Sequence, residues 1–292
     1  MSCISWNCRG LGNPRTVNDL HLMVQSELPS FVFLMETKCK RHKVECVKRL
    51  IKFDNSFVID CKGFSGGLTF LWKNDVEAEV HSYSQNHISL MVKGAKERED
   101  WLLTGFYGSP VTARRQSSWN LLQAINPVHS LGWLCLGDFN EILFIGDKSG
   151  GAVRAFSQME SFRDTVELCG LSDLGFVGNK FTWSNGRHGA SFTKERLDRA
   201  FGNNSWLDLF PSHKVHTLPA LSSDHCPIFV TMEKQVMDSL KCNKPFRFEA
   251  SWSLNGECHN ILEEAWNKPR MSNNKLNFVA EGLRHCKDKL LL

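Results

Sequence analysis

The sequence predicts an α/β (α+β) fold, a four-layered α/β sandwich of two packed mixed β-sheets flanked by helices. Two observations carry this. Up to Glu36 the chain reads as strand, crossover helix and strand, which makes a parallel pair, whereas later stretches alternate like hairpins, which make antiparallel ones. Short strands then continue as far as Met232, a run that suggests two sheets packed together with helices outside.

Cys3 to Trp6 is a short strand with Ile4 and Trp6 on one face. After the turn Arg9-Gly10-Leu11-Gly12-Asn13, Asn13 is placed to cap a helix whose first position is Pro14. Val17, Leu20, Val24 and Leu28 supply the apolar stripe up to Pro29. Phe31 to Met35 is a compact apolar run ending at Glu36. Val44, Val47 and Leu50 mark a second helix, and Phe57 to Cys61 and Gly67 to Trp72 read as strands. Val76 to Tyr83 and His87 to Val92 alternate as a pair, and Lys96 to Asp100 is an exposed charged turn before the strand Trp101 to Tyr107. Arg114 to Ile125 is helical, and Trp133 to Leu136 forms a strand that stops at Gly137. A helix follows from Ala155 to Leu168 with Phe156, Met159, Phe162 and Val166 on one side. Strands are expected at Phe181 to Trp183 and Phe192 to Asp198, then a last pair at Lys214 to Leu218 and Pro227 to Met232.

The character changes after Met232. Residues 1–232 are expected to form the domain, and 233–292 a basic, aromatic C-terminal appendage. In it Lys234 to Lys244 is polar and basic, Pro245 to Trp252 is aromatic, and Ile261 to Trp266 suits a short amphipathic helix.

A hydrophobic fraction of 42% and a charged fraction of 23% exclude wholesale disorder. The net charge of +4 permits a polyanionic partner without demanding one. The 11 cysteines include no CxxC pair and no zinc-finger spacing, and an odd number cannot all pair within one molecule, which favours reduced thiols inside a cell. The N-terminus turns polar before it could form a signal-peptide core, and no apolar run is long enough to span a bilayer. An intracellular protein is expected, with no membrane partner and no organic cofactor.

The strongest local motif is Leu136-Gly137-Asp138-Phe139-Asn140 at the end of an apolar strand. In extended backbone, positions two apart point the same way, so Asp138 and Asn140 can face one cleft while Phe139 packs underneath. An Asp can hold a metal or take a proton from water; an Asn can orient that water without adding charge. The same residues also suit a plain turn. Ser223-Asp224-His225 puts a hard oxygen ligand beside an imidazole, although Ser-Asp before a strand is also common turn chemistry.

Asn7, Glu36 and Tyr107 end further strands, and Asp198 lies in Glu195-Arg196-Leu197-Asp198-Arg199. Singly, each suits a solvated loop or a surface ion pair. Together, Glu36, Asp138, Asp198 and Asp224 in one cleft would repel, and Mg²⁺ (or Mn²⁺ as a substitute) is the expected compensation. Oxygen and amide donors suit Mg²⁺ better than Zn²⁺.

Ser5-Trp6-Asn7, the Glu36 strand end, Tyr107-Gly108-Ser109-Pro110, Gly137-Asp138-Phe139-Asn140, Leu197-Asp198 and Ser223-Asp224-His225 occur in the order of the endonuclease/exonuclease/phosphatase superfamily, which the chain resembles over about residues 1–232. Trp6-Asn7-Cys8-Arg9-Gly10-Leu11-Gly12, Phe33-Leu34-Met35-Glu36-Thr37-Lys38, Gly66-Gly67-Leu68, Lys180-Phe181-Thr182-Trp183-Ser184 and Glu195-Arg196-Leu197-Asp198-Arg199 look like the endonuclease region of plant LINE-type (non-LTR) retrotransposon proteins. Phe246-Arg247-Phe248-Glu249 resembles the junction toward a reverse transcriptase, for which the remaining chain has no room.

The resemblance implies a metal-dependent phosphodiester hydrolase that nicks DNA in the nucleus, leaving 3′-hydroxyl and 5′-phosphate ends. It implies Glu36 as principal metal ligand supported by Asn7 and Asp224, and Asp138 as the group that activates water, with Asn140 orienting it. His225 would contact the phosphoryl oxygen with Asp198 fixing its tautomer, and Tyr107 would steady the phosphate or leaving group. Two departures stand out. Arg9 replaces the acid that abasic-site repair members carry two residues after the Asn, and Pro110 replaces an Asn that repair enzymes and animal elements carry three after the Tyr.

Arg9, Arg114, Arg115, Arg187, Arg196 and Arg199 lie near the motif-bearing loops and are expected DNA-backbone contacts, with Arg154 beside them. Trp183 could reach a groove, yet it alternates with Phe181 like a packing residue. The rival readings are a small-molecule or lipid phosphoesterase of the same fold and an inactive nucleic-acid-binding remnant of a retroelement.

Overall fold

The computed structural model describes residues 1–94, 99–127, 131–232, 256–267, 282–283, 285–286 and 289. The chain divides into two compact units, Met1–Gln235 and Val236–Leu292. In the first, β1 (Ser2–Asn7), α1 (Pro14–Glu27), β2 (Phe31–Met35), α2 (Arg41–Leu50), β3 (Asn55–Ile59) and β4 (Leu68–Trp72) come first. They are followed by β5 (Ala78–Ser84), β6 (His87–Val92), β7 (Trp101–Tyr107), α3 (Arg115–Ala124) and β8 (Gly132–Asp138). Next come β9 (Lys148–Ser149), α4 (Phe156–Leu168), β10 (Leu171–Asp173), β11 (Trp183–Ser184) and β12 (Lys194–Glu195). The last are β13 (Asp198–Asn203), α5 (Asn204–Leu209), β14 (Lys214–Thr217) and β15 (Ile228–Thr231). In the second unit α6 spans Gly256–Trp266, with Cys258 and Ala265 buried.

Two six-stranded sheets form, in the orders β14-β15-β1-β2-β4-β3 and β10-β13-β8-β7-β6-β5, with a small sheet β11-β12-β9 beside them. Each large sheet contains one parallel pair, β1 with β2 and β7 with β8, and antiparallel pairs elsewhere. The α+β sandwich of two mixed sheets flanked by helices is the expected fold class.

Alternation explains the layers. Along β2, Phe31, Phe33 and Met35 point into the space between the sheets, while Val32 and Leu34 point outward to meet Leu20, Val24, Val44 and Val47 of α1 and α2. Along β7, Leu103 and Tyr107 point inward and Leu102 and Phe106 outward, the latter packing with Trp119 of α3 and Phe162 of α4. Strands buried on both faces read as continuous apolar runs, as the sequence of β2 does.

Several boundaries differ from expectation for local reasons. Helix α1 starts as read, with Pro14 first and the Asn13 side chain accepting from Arg15 N at 3.0 Å. Its expected stripe residue Leu28 is 69% exposed, because it is the left-handed cap (φ 47°) that ends the helix. Leu50, at the last position of α2, and Phe156, at the first of α4, are exposed as well. Strand β8 runs past Gly137 to Asp138, and Asp198 begins a strand instead of ending one. The charged segment Lys96 to Arg98, the basic stretch Lys234 to Lys244 and Phe246-Arg247-Phe248-Glu249 lie outside the described residues. No helix among the described residues is long and apolar enough to cross a membrane.

Candidate active site

The cleft lies where the inward-facing rows of the two sheets turn from apolar to polar. On β8, Leu134 and Leu136 belong to the inter-sheet core and Asp138 is next in that row. On β13, Ala200 belongs to the same core and Asp198 precedes it by two. Strand register aligns Tyr107 with Asp138, and Asp138 with Asp198, so three polar groups cross one edge of the second sheet. Asn7 ends β1 opposite them, two positions beyond Ser5. Gly137 (φ 149°) makes this alignment possible, since a Cβ there would sit 1.9 Å from the Phe106 carbonyl oxygen.

Glu36 follows β2 directly, in a left-handed conformation (φ 47°) that turns its side chain into the cleft. Its Oε1 accepts from Tyr107 OH at 2.8 Å and from Asn7 Nδ2 at 3.2 Å. Its Oε2 faces Lys38 Nζ at 3.3 Å and Arg9 Nε at 3.8 Å. Burial alone would raise the Glu36 pKa, but the hydrogen bonds from Tyr107 and Asn7 and the nearby cations Arg9 and Lys38 outweigh it and hold the carboxylate below its ordinary range. Burial, reinforced by the charges of Glu36 and Asp138, pushes the Tyr107 phenol well above its ordinary value, so it stays a proton donor.

Asp138 is wholly buried. Its Oδ2 accepts from Asn7 Nδ2 at 2.9 Å and Asn140 Nδ2 at 3.2 Å, and its Oδ1 from Asn140 N at 2.9 Å. Burial raises its pKa, assisted by the Asp198 charge and opposed by His225. Asn140 does reach the cleft, though not by strand alternation: it follows β8 at φ 54°, a left-handed position that Asn tolerates. Its amide also donates to Gly108 O at 3.0 Å.

His225 pairs Nδ1 with Asp198 Oδ2 at 2.9 Å and sets Nε2 3.8 Å from Asp138 Oδ2. Burial would lower its pKa, but the charges of Asp198 and Asp138 win and raise it. Asp198 is fixed in turn, because Thr182 Oγ1 accepts from its backbone N–H at 3.0 Å. Trp6 Nε1 donates to His225 O at 3.0 Å and Ser223 Oγ to Asn7 O at 2.8 Å, which ties the loop before β15 to β1.

Asp224 stands at the outer edge. Its Oδ2 accepts from Arg9 Nη1 at 2.5 Å and from Trp183 Nε1 at 3.0 Å. Arg9 thus lies between Asp224 and Glu36. Trp183 packs as its alternation with Phe181 predicts, its indole touching the Ile142, Met159 and Leu197 cluster, and its N–H also positions a site carboxylate. Lys38 acts on Glu36 two residues before it, and Thr182 accepts from Leu197 N and Asp198 N far along the chain; neither residue type signals such a contact by itself.

The expected DNA-contacting arginines divide. Arg9, Arg114 and Arg187 are exposed. Arg115, Arg196 and Arg199 are buried and held by acids, which corrects their expected role. Arg115 pairs with Glu141 and Arg196 with Asp173, while Arg199, 1% exposed, bridges Asp147 at 2.6 Å and Asp173 at 2.5 Å. Buried guanidiniums need carboxylate partners, and these already have them. Arg154, half-buried, is likewise paired with Glu141 and Glu195.

The cleft encloses about 720 Å³ and is lined by Arg9, Glu36, Asn140, Arg154, Trp183 and His225 among others. Its donors fit a hard divalent cation. Asn7 Oδ1, Asp198 Oδ1 and Asp224 Oδ1 are buried with no hydrogen-bond partner among the described residues, a costly arrangement that a cation or water would relieve. Asp138, Asp198 and His225 bring ligand atoms within 4.8 Å of one another, a set that could coordinate a divalent metal.

Oxygen donors for a cation next to a histidine held by an aspartate, all at one edge of a two-sheet sandwich, are the arrangement of a phosphoesterase. The chain belongs to the Endonuclease/Exonuclease/phosphatase family, whose model matches residues 4–225 and so takes in every candidate site residue from Asn7 to His225. Comparison with curated proteins gives no significant match. Among solved structures, the endonuclease domain of TRAS1, a telomere-specific non-LTR retrotransposon, is similar with a TM-score of 0.60 at 15% identity, covering 80% of this chain and 99% of that one. AP endonuclease LMAP from Leishmania major gives 0.62 at 18% identity, covering 80% and 87%. The 3′-5′ exonuclease NExo from Neisseria meningitidis gives 0.59 at 16%, covering 80% and 100%. At such identities the likeness concerns the fold, and it does not single out one branch of the family.

Proposed function

We propose that the chain is a Mg²⁺-dependent endonuclease that nicks DNA, leaving 3′-hydroxyl and 5′-phosphate ends, and that it derives from a plant LINE-type retrotransposon protein. The observation that carries the chemistry is the His225–Asp198 pair facing buried Asp138 across 3.8 Å. The plant-element assignment rests on the motifs around Asn7, Glu36, Trp183 and Asp198 in the sequence, and action in the nucleus follows from the substrate.

Glu36, Asn7 and Asp224 would hold the cation, which when bound supplies positive charge against the phosphate oxygens. Their oxygens suit Mg²⁺, whereas the His225 imidazole is engaged by Asp198 and is a softer donor. Asp138, with its raised proton affinity, accepts the proton of the attacking water. Asn140 braces Asp138 and orients that water. His225, kept protonated by Asp198, donates to the phosphoryl oxygen, and Tyr107 donates to the phosphate or leaving oxygen. The exposed Arg9, Arg114 and Arg187 contact the DNA backbone, which positions the duplex without reading its sequence.

Supercoiled plasmid incubated with Mg²⁺, with Mn²⁺ or with chelator, beside the Glu36→Gln variant, tests this reading. Conversion to open circles only with metal and only by the parent chain is expected. Hydrolysis of small phosphate esters with plasmid left intact would favour the small-substrate phosphoesterase, and plasmid binding without nicking would favour an inactive remnant.

A further inference from the structure

We propose that Arg9 is a tethered cation that closes the divalent-metal site of the metal-free protein, so that a metal ion binds only when the guanidinium leaves. This rests on the metal-site reading above, and it assigns Arg9 a second role beside its expected contact with DNA.

Arg9 follows Asn7 by two residues, and its backbone is left-handed (φ 50°). Its guanidinium is anchored on Asp224 at 2.5 Å and stands 3.8 Å from Glu36, two of the three residues assigned to hold the cation. The Glu36 oxygen it faces also has Lys38 Nζ at 3.3 Å, so two side-chain cations neutralise the carboxylate that the metal needs. A guanidinium and a divalent ion cannot share that space, because like charges at such separation in a partly buried cleft repel strongly. The Arg9 side chain is 45% exposed, so it can swing to solvent without disturbing the core.

Backbone conformation supports a built device over a chance contact. Arg9, Glu36 and Lys38 are all non-glycine residues at positive φ, on loops joined by the Cys8 N to Met35 O and Leu11 N to Thr37 O hydrogen bonds. Strain of this kind persists where the surrounding structure enforces it, commonly at functional sites. While Arg9 is docked the site is not competent, so apparent metal affinity falls by the fraction docked. Metal binding must reciprocally free the guanidinium, which then lies exposed beside the cleft where a substrate phosphate arrives.

The test is a titration of the purified full chain with Mn²⁺ alone, with free ion followed by electron paramagnetic resonance. The proteins compared are the parent, Arg9→Ala, Glu36→Gln and Lys62→Ala, an exposed site giving the same charge change. Alanine at position 9 meets the same backbone strain as arginine, so folding is not newly burdened. Arg9→Ala is expected to bind Mn²⁺ about tenfold more tightly, Lys62→Ala to stay within about twofold of the parent, and Glu36→Gln to bind much more weakly. Unchanged or weaker binding by Arg9→Ala, or equal tightening by Lys62→Ala, overturns the proposal while leaving the metal site standing if Glu36→Gln still loses affinity. Mn²⁺ affinity indifferent to Glu36→Gln defeats the site assignment itself and the role of Arg9 with it.

Discussion

His225 Nδ1 lies 2.9 Å from Asp198 Oδ2, and both side chains are almost fully removed from solvent. Asp198 accepts from Nδ1–H, and because the charges of Asp198 and Asp138 raise the proton affinity of the imidazole, a second proton stays on Nε2, which is presented to the cleft. Of the two partners, Asp198 comes from the first residue of a strand and His225 from the loop before another, so their meeting depends on both sheets being in place.

The pair makes stability depend on pH. His225 is pushed up from 6.5 to about 9 by Asp198 and Asp138, against the effect of burial. A histidine whose folded value exceeds its unfolded value contributes stability that is complete below 6.5 and lost as pH rises through about 9. In chelator at neutral pH, Asp198→Asn is therefore expected to cost up to about 3 kcal/mol, with the gap to the parent closing as pH passes the upper value. Thermal melts of both proteins across that window measure it. A gap that stays constant would show that His225 carries no charge in the folded protein.

The rate of nicking should be bell-shaped in pH. Asp138 must be ionised to accept a proton, and its value is pushed up to about 6, so activity falls as pH drops through that region. His225 must be protonated to donate, so activity falls again as pH rises toward about 9. A cation in the cleft lowers both limbs and raises neither. Initial rates under saturating Mg²⁺ give the profile, and Asp138→Asn should lose about 10²- to 10⁴-fold at the top of the bell, the gap narrowing as Asp138 of the parent is protonated. An acid limb that survives in that variant at full rate would remove Asp138 from proton transfer.

Much of this architecture is legible in the sequence because it is written locally. Strand-end polar residues such as Asn7, Tyr107 and Asp138 continue rows whose period of two already assigns a face, and Asn13-Pro14 marks a helix start by its own chemistry. What escaped depends on partners far along the chain. Arg199 looks like a surface cation until Asp147 and Asp173, on other elements, are brought to it by folding. Leu28 and Phe156 fit an apolar stripe by spacing, yet each sits at a helix end where the stripe has left the core. Asn140 reaches the cleft by a left-handed turn, which alternation alone does not foresee.

Arg199 accordingly belongs to folding and not to DNA contact. Removing it leaves Asp147 and Asp173 without their strongest partner, one of them nearly buried. Arg199→Ala should cost about 3–5 kcal/mol in urea unfolding. Arg187→Ala, at an exposed site, should leave stability unchanged and reduce the salt slope of DNA binding by about one. The reverse pattern, with Arg199→Ala stable and the salt slope reduced, would return Arg199 to the DNA-binding surface.

Phe139 joins the core to the chemistry. It sits between Asp138 and Asn140 with no exposed surface, stacked on Phe106 at 5.2 Å and edge-on to Phe201 at 4.9 Å. Its backbone N–H donates to Leu197 O at 3.0 Å, beside Asp198. Truncation therefore removes the packing that holds two site residues on one side and slackens the strand carrying a third. Phe139→Ala should cost about 3–5 kcal/mol, while Phe139→Leu, which keeps most of the volume, should cost less than that. If Phe139 only stabilised the domain, the folded Phe139→Leu protein would nick DNA at the parental rate. Because a misplacement of about 1 Å can cost on the order of 10²-fold in rate, its kcat is expected to fall well below the parent's at a temperature where both are fully folded, with KM little changed. Equal kcat for the two proteins would confine Phe139 to packing.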